Sequence, residues 1–352
     1  MDNLRGKVVF VAGGSTGLGK AIAMSVAARG ADVTIFARRQ AVLDKAQTDI
    51  VEAAAHPDQQ VRAVSLDLSD ASQASLPDTS RLFHVSVVSN PVWQCEHVFG
   101  VQPRLPDVLY CVAGGCVSEL GFFIDLPAAA LESCMRKNYL TSAYPAHALL
   151  RLWTRDDRRQ GQPSSARPKL RQLVFISSAA AFANVPGYAA YTPAKCAQRA
   201  LADTLRQEAV AYSNAASSYT VHCAFPATVL TDTFFEEQRG KPALTKRIES
   251  TDATADKLRA KYPSARDVGE AIVCASVDCR GAGAGASDFC ICTDFDTSVL
   301  WSGMVGPSTK RGWGLVDSFL ALVSGLVVWP LLRRSWNRMC AEAGASGEAG
   351  KT

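Results

Sequence analysis

Residues 7 to 39 read KVVFVAGGSTGLGKAIAMSVAARGADVTIFARR. Val8 to Val11 are β-branched and aromatic, the composition of a buried strand. A glycine-rich turn follows, and Lys20 to Arg29 then reads as a helix closed by Gly30. Val33 to Phe36 is a second buried strand. A β-α-β unit of this kind makes its two strands parallel, so the expected fold is an α/β, Rossmann-type doubly wound parallel sheet. The turn has the form Gly13-x-x-x-Gly17-x-Gly19, with Ser15 and Thr16 inside it. Glycines there let a backbone approach a pyrophosphate seated on the helix N-terminus. The competing reading is a tight turn that merely packs helix on strand.

The end of the second strand bears on the cofactor. An acid at this place bonds the ribose 2′-hydroxyl of NAD. This chain has Ala37, Arg38 and Arg39 instead, and an arginine fork suits the 2′-phosphate of NADPH. Ordinary surface arginines are the alternative. Further on, SLDLSD ends a third strand with Asp67, a candidate contact for the adenine end.

Composition narrows the function classes. The chain has 352 residues, 48% of them hydrophobic, enough for one large α/β domain with additions or for two domains. A net charge of +4, with no stretch both basic and aromatic-rich, argues against nucleic acid. Eleven cysteines are scattered, several inside apolar runs (Cys111, Cys134, Cys196, Cys223, Cys274), where they serve as small hydrophobes. No Cys-x-x-Cys pair and no histidine spacing suggests a metal site, and the compartment reads as reducing. With a strand beginning at Lys7, no N-terminal signal peptide is expected.

Residues 188 to 208, YAAYTPAKCAQRALADTLRQE, set Tyr191 and Lys195 four apart. Ala194, Ala197, Leu201, Leu205 and Ala209 form an apolar stripe at helical spacing, so the pair shares one helix face. A phenol titrates near about 10, and a neighbouring cation lowers that value. A tyrosine tuned in this way can exchange a proton near neutral pH. The bland alternative is a helix-start tyrosine beside a solvated lysine.

The order of these motifs resembles the short-chain dehydrogenase/reductase family. The likeness rests on Gly13-x-x-x-Gly17-x-Gly19, Asp67, Ala113-Gly114 in YCVAGG, Asn138 in RKNYL, Ser178 in VFISSAA and Tyr191-x-x-x-Lys195, with Ser178 thirteen residues before Tyr191. It spans about residues 5 to 300. The resemblance implies that Tyr191 protonates a carbonyl oxygen, that Lys195 depresses the tyrosine pKa and holds the nicotinamide ribose, and that Ser178 orients the substrate oxygen. It implies that Asn138 supports a water relay, and that Pro226, Val229 and Thr231 in FPATVLT close over the nicotinamide. Ala12, Val112 and Ala227 are mild departures from the family pattern. Within the family the likeness is to members acting on a long-chain 2-amino-3-ketone, a 3-keto sphingoid base. It is carried by FVAGGSTGLGKAIA, YTPAKCAQRALADTLRQE and FPATVLTDTFFEEQRGKPALTKRIES, and residues 232–262 are expected to form a substrate lid with Phe234, Phe235 and Leu244 on the lipid chain. Other lipophilic ketones, steroid or fatty, remain an alternative, as does a catalytically silent NADP-binding scaffold. The resemblance also admits a homodimer.

The tail is apolar from 315 to 332, with a single acid at Asp317. Lys310 and Arg311 precede it, Arg333, Arg334 and Arg338 follow, and Trp313, Trp329 and Trp336 flank it. About 20 apolar residues cross a bilayer and tryptophans mark its interface, so membrane association is expected, either as a span or as an interfacial helix. A helix packed on a neighbouring subunit is the alternative. The resemblance places the protein at the endoplasmic reticulum membrane with its catalytic part in the cytosol. The expected division is 1–306 catalytic and 307–352 membrane-associating. Residues 71–106 form an atypical insert without a clear helical stripe, 154–171 an exposed polar loop, and 281–286 a flexible turn.

Overall fold

The computed structural model describes residues 3–69, 91–160, 168–277, 289–304 and 314–345. The first unit is β1 (Val8–Ala12), α1 (Gly17–Ala27) and β2 (Asp32–Ala37), followed by α2 (Gln40–Glu52) and β3 (Val61–Ser65). Next come α3 (Pro91–Gly100), β4 (Val108–Cys111), α4 (Ala128–Met135), α5 (Thr141–Gln160), β5 (Lys169–Ile176), α6 (Tyr191–Tyr212) and β6 (Ser217–Phe225). The chain continues through α7 (Asp232–Gly240), α8 (Ala243–Ile248), α9 (Ala255–Lys261), α10 (Ala265–Val277), β7 (Cys290–Cys292) and α11 (Phe295–Ser302). It ends with α12 (Leu315–Val323) and α13 (Trp329–Ala345).

Seven strands form one sheet in the order β3-β2-β1-β4-β5-β6-β7. Every neighbouring pair is parallel. The order reverses between β1 and β4, and ligands of such sheets bind at that switch point, beyond the strand C-termini. Alternation along β1 divides the core. Val8, Phe10 and Ala12 face one layer with Phe36, Phe99, Trp153, Phe175 and Phe225. Val9 and Val11 face the other with Ile22, Ile35, Tyr110, Val174 and Ile272.

The structure corrects two readings. Part of the atypical insert, Pro91–Gly100, is helix α3, and its Cys95 and Phe99 are buried. Phe99 packs with Phe10 and Phe36 at 5.4 and 5.0 Å between ring centroids. Residues 70–90 of the insert lie outside the described residues. The stretch 154–171 is not all loop, because α5 runs to Gln160 and β5 starts at Lys169. There Arg171 donates from Nη2 to Asp157 Oδ1 at 2.8 Å and from Nε to Ser217 Oγ at 2.9 Å, while the Tyr219 hydroxyl donates to Asp157 Oδ2 at 2.6 Å. A polar composition here marks a buried, mutually bonded network rather than a solvated loop. The core continues past β7 into α11. Trp301 on α11 is fully buried against Phe182, Phe225 and Phe289. The 281–286 turn, Lys310, Arg311 and Trp313 are outside the described residues.

The run Leu315–Cys340 is long and apolar enough to cross a membrane. It turns Asp317 and Ser324 inward and leaves Leu315, Val316, Phe319, Leu322, Leu326, Val327 and Leu331 exposed. Its first part packs on α11 and its later part on α8.

Candidate active site

The loop after β1 is tight. Gly13 has φ +92° and donates its N–H to Phe36 O at 2.8 Å. A Cβ on Gly13 would lie 2.5 Å from Ala113 N, and one on Gly19 would lie 2.0 Å from Gly13 O. Neither position has room for a side chain, which brings the loop, β4 and the start of α1 into direct backbone contact. Thr16 precedes α1 in an extended conformation without capping it through its side chain, and no acid occupies the first turn. The first amides of the helix therefore have no side-chain acceptor there, as an anion site at a helix N-terminus requires.

A cleft of about 660 Å³ opens over this loop. Gly13, Ser15, Thr16, Gly17, Gly19, Arg38, Arg39, Asp67, Ser178, Tyr191, Lys195, Val229 and Thr231 all line it. Arg38 and Arg39 stand at the end of β2, and the Arg38 side chain is 63% exposed. Arg38 Nη1 lies 3.9 Å from Asp67 Oδ2, while Asp67 Oδ1 accepts from the Ser69 amide at 2.9 Å and its hydroxyl at 2.8 Å. An exposed pair at that distance contributes under about 1 kcal/mol, which leaves the guanidinium available to an anion.

Ser178 ends the β5 segment and accepts from Ala180 N at 3.2 Å, capping the short helical turn Ala179–Ala181. Ser178 also acts on the Tyr191 phenol, lowering its pKa against the larger effect of burial. Tyr191 begins α6, and Lys195 one turn later is 3% exposed. The Lys195 ammonium donates to Ile176 O at 3.0 Å and to Gln198 Oε1 at 3.1 Å, and stands 5.6 Å from the Tyr191 ring centroid. Burial lowers its pKa to about 8.

Asn138 does not line the cleft but lies directly behind it. It is fully buried in a π-helical turn, Arg136–Leu140, between α4 and α5. Its Nδ2 donates to Gly115 O at 2.9 Å and Cys134 O at 3.0 Å, and its Oδ1 accepts from Gly115 N at 2.9 Å. A methyl group on Gly114 would lie 2.6 Å from Asn138 Oδ1 and 3.4 Å from Lys195 Nζ, so the two side chains meet beneath that turn. Such π-turns recur at functional sites because the extra residue re-aims a side chain.

One expectation is reversed. The Tyr191 phenol is held well above its ordinary value, not below it. Burial is the largest cause, with electrostatic influence from Cys116 and Glu237 after it. Lys195 faces the tyrosine ring and spends its donors on Ile176 and Gln198, so it does not offset the burial.

Thr233, Phe234, Glu236 and Glu237 of α7, with Lys241 and Glu249 after it, also line the cleft. Thr231 caps α7 by accepting from Phe234 N at 2.9 Å. Phe234 and Leu244 are buried, and Phe235 packs edge-on to Phe234 at 5.3 Å. Thr245 Oγ1 donates to Pro186 O at 2.7 Å, which seats α8 on the loop before α6. Sequence reasoning missed the polar groups among these residues. Lys241 is buried and donates to Glu249 Oε2 at 2.8 Å. Glu237 Oε1 accepts from Cys116 N at 3.3 Å, and burial raises its pKa. Gln198 was likewise missed, since nothing in a one-dimensional pattern marks a glutamine one turn beyond a lysine.

Three comparisons bear on this geometry. The short chain dehydrogenase family model matches residues 7–76 and 99–241. A 3-ketodihydrosphingosine reductase of Aspergillus fumigatus is 36% identical over 261 residues, covering 71% of this chain and 65% of that protein. The 3-ketodihydrosphingosine reductase of Bos taurus is 33% identical, with 70% and 64% covered. The chain thus spans less than two thirds of the length of either relative. Among solved structures, levodione reductase superposes with a TM-score of 0.62 at 16% identity, covering 83% of this chain and 97% of that one. A short-chain dehydrogenase from Sphingobium yanoikuyae in complex with NADPH gives 0.61 at 16% identity, covering 86% and 93%. With a family model matching well over half of the chain, and with the glycine turn, Ser178, Tyr191 and Lys195 gathered on one cleft, the chain belongs to the short-chain dehydrogenase family.

Proposed function

We propose that the protein reduces 3-ketodihydrosphingosine to dihydrosphingosine with NADPH, as a step of sphingolipid synthesis. The observation that carries this reading is the gathering of Ser178, Tyr191 and Lys195 on one wall of a cleft whose floor is the glycine loop. The names of the relatives supply the substrate class. The residues present fit the cofactor: a floor with no room for side chains, an α1 N-terminus without a side-chain cap, and arginines at the end of β2 where NAD enzymes carry an acid.

Bound NADPH supplies the hydride. Gly13, Gly17 and Gly19 with Ser15 and Thr16 would hold its pyrophosphate, Arg38 and Arg39 its 2′-phosphate, and Asp67 its adenine end. Val229 and Thr231 cover the nicotinamide side. The Ser178 hydroxyl orients the ketone oxygen, and the Tyr191 phenol gives that oxygen its proton. A phenol held above its ordinary pKa stays protonated at neutral pH, the state a proton donor needs. Lys195 serves as a fixed cation beside the ribose. Asn138 holds the Gly114–Gly115 turn against it.

Residues 1–306 act as the catalytic unit in this reading, with 232–262 as substrate lid. The tail 307–352 attaches the enzyme to a membrane, where a long-chain substrate dissolves. The outward apolar face of the Leu315–Cys340 run supports attachment. We place it at the endoplasmic reticulum with the cleft toward the cytosol. The test is turnover by the purified chain of NADPH with 3-ketodihydrosphingosine in mixed micelles, with dihydrosphingosine identified by mass. A steroid or fatty ketone reduced equally well shifts the substrate reading, and no turnover of any ketone overturns the activity.

A further inference from the structure

We propose that Glu237 is the acceptor for the substrate's 2-ammonium group and so sets a preference for a 2-amino-ketone over a plain ketone. The inference rests on reading the cleft as the site of a 3-keto sphingoid base. Five acids line the cleft: Asp67, Glu119, Glu236, Glu237 and Glu249. Asp67 stands at the cofactor end, beside Arg38. Glu119 Oε1 is taken by Lys137 and by Ser133 Oγ at 2.8 Å, and its Oε2, though without a hydrogen-bond partner, is buried and closed to a ligand. Glu249 is paired with Lys241. Glu236 is exposed on α7.

Glu237 is different. Its Oε1 is anchored by the Cys116 amide at 3.3 Å and thiol at 3.5 Å, while its Oε2 accepts no hydrogen bond among the described residues. The cation nearest in chain, Lys241, is committed. It is bonded to Glu249 at 2.8 Å and lies 5.4 Å from the ring centroids of both Tyr188 and Phe234. The lid cluster of Glu237, Lys241 and Glu249 therefore holds one more carboxylate than cations. Lys241 favours the charged form of Glu237 from a distance but bonds Glu249 instead, so a ligand ammonium on the second Glu237 oxygen offsets the remaining cost of its burial.

The position suits the substrate. Its amine is on the carbon next to the carbonyl, so its acceptor must stand close to the groups that hold the carbonyl oxygen. Glu237 acts electrostatically on Tyr191, and its anchor Cys116 directly follows Gly115, the residue pinned by Asn138.

The test uses the full chain with NADPH and two ketones of equal chain length in the same micelles, the 2-amino-3-ketone and the 3-ketone with hydrogen at C2. The readout is the ratio of kcat/KM between them. In Glu237→Gln the ratio is expected to fall about ten- to a hundredfold, chiefly through KM, as the loss of a charge-assisted hydrogen bond implies. Glu237→Asp keeps the charge and is expected to retain most of the ratio. A ratio unchanged in Glu237→Gln, or lost equally in both variants, overturns the inference, the second because shape and not charge then sets the preference. Should Glu237→Gln fail to fold, a Glu237→Asp ratio fallen to unity overturns it as well. A parent that does not favour the amino-ketone instead overturns the substrate reading beneath it.

Discussion

Helix α6 and the C-terminal run Leu315–Cys340 both turn polar side chains inward, with opposite consequences. In α6, Lys195 and Gln198 are buried among Ala194, Ala202 and Ala209, and they bond each other, Ile176 O and Ser142 Oγ. Nothing in the helix's hydrophobic stripe requires a lysine there, and its burial depresses its pKa to about 8. The C-terminal run buries Asp317 and Ser324 while leaving seven large apolar side chains exposed. A helix whose polar residues face its own protein and whose leucines face outward is arranged for a surrounding that is not water. Inward polarity thus lies beside the proposed chemistry in one helix and opposite an exposed apolar face in the other. Stability in water accounts for neither.

Several experiments sharpen or break this contrast. The largest effect is expected in α6. Tyr191→Phe should lower turnover by about a hundred- to ten-thousandfold, while NADPH binding measured by fluorescence stays near the parent value. Near-parent turnover would show that the proton comes from elsewhere. At the other helix, Leu322→Glu with Leu326→Glu should weaken binding to phospholipid vesicles by at least about a hundredfold, since each buried acid costs about 2.5 kcal/mol or more. Reduction of a short water-soluble ketone should continue, and if it is lost too, the helix belongs to the catalytic fold.

Truncation after Pro307 puts the same question differently. It should move the protein to the soluble fraction with the cleft intact, because the core closes with Trp301 on α11. Contact of α13 with α8 means that the lid loses a neighbour, and KM for the long-chain substrate should rise more than for a short one. At the cofactor end, Arg38→Ala should reduce the preference for NADPH over NADH by about ten- to a hundredfold. Equal kcat/KM for the two cofactors in the parent would remove the role given to this arginine.

The smallest effect is in pH. Lys195 is protonated below about 8 and loses its charge as pH rises through that value. Cofactor affinity should therefore be greatest below this pH and fall above it, because the cation beside the ribose is lost. In Lys195→Met the alkaline fall should disappear along with most of the affinity. An unchanged profile in that variant assigns the titration to another group.

How far the chain can be read in one dimension differs from region to region for physical reasons. The β1-α1-β2 unit was legible because its information is local: a strand, a turn that only glycine can make, and a helix follow within thirty residues. The Tyr191–Lys195 pair was legible because four residues make about one helical turn. Helix α3 was not, since its Phe99 is buried by packing on Phe10 and Phe36 from distant strands. The polar stretch around Asp157 was misread because Arg171, Ser217 and Tyr219, which satisfy it, come from strands that only the sheet brings together.

By itself, then, the sequence determined the parallel α/β architecture, the glycine loop and the order of Ser178, Tyr191 and Lys195, since each is set by short-range geometry. Tertiary structure alone decided three things. It placed Asn138 and Lys195 under the Gly114 turn through a π-helical turn. It pushed the Tyr191 phenol upward, because burial and the Glu237 charge outweigh a lysine that faces the ring. It anchored one oxygen of Glu237 on the Cys116 amide at the cleft and left the other accepting no hydrogen bond among the described residues. All three depend on dielectric surroundings and on partners far apart in the chain, which no spacing between neighbouring residues encodes.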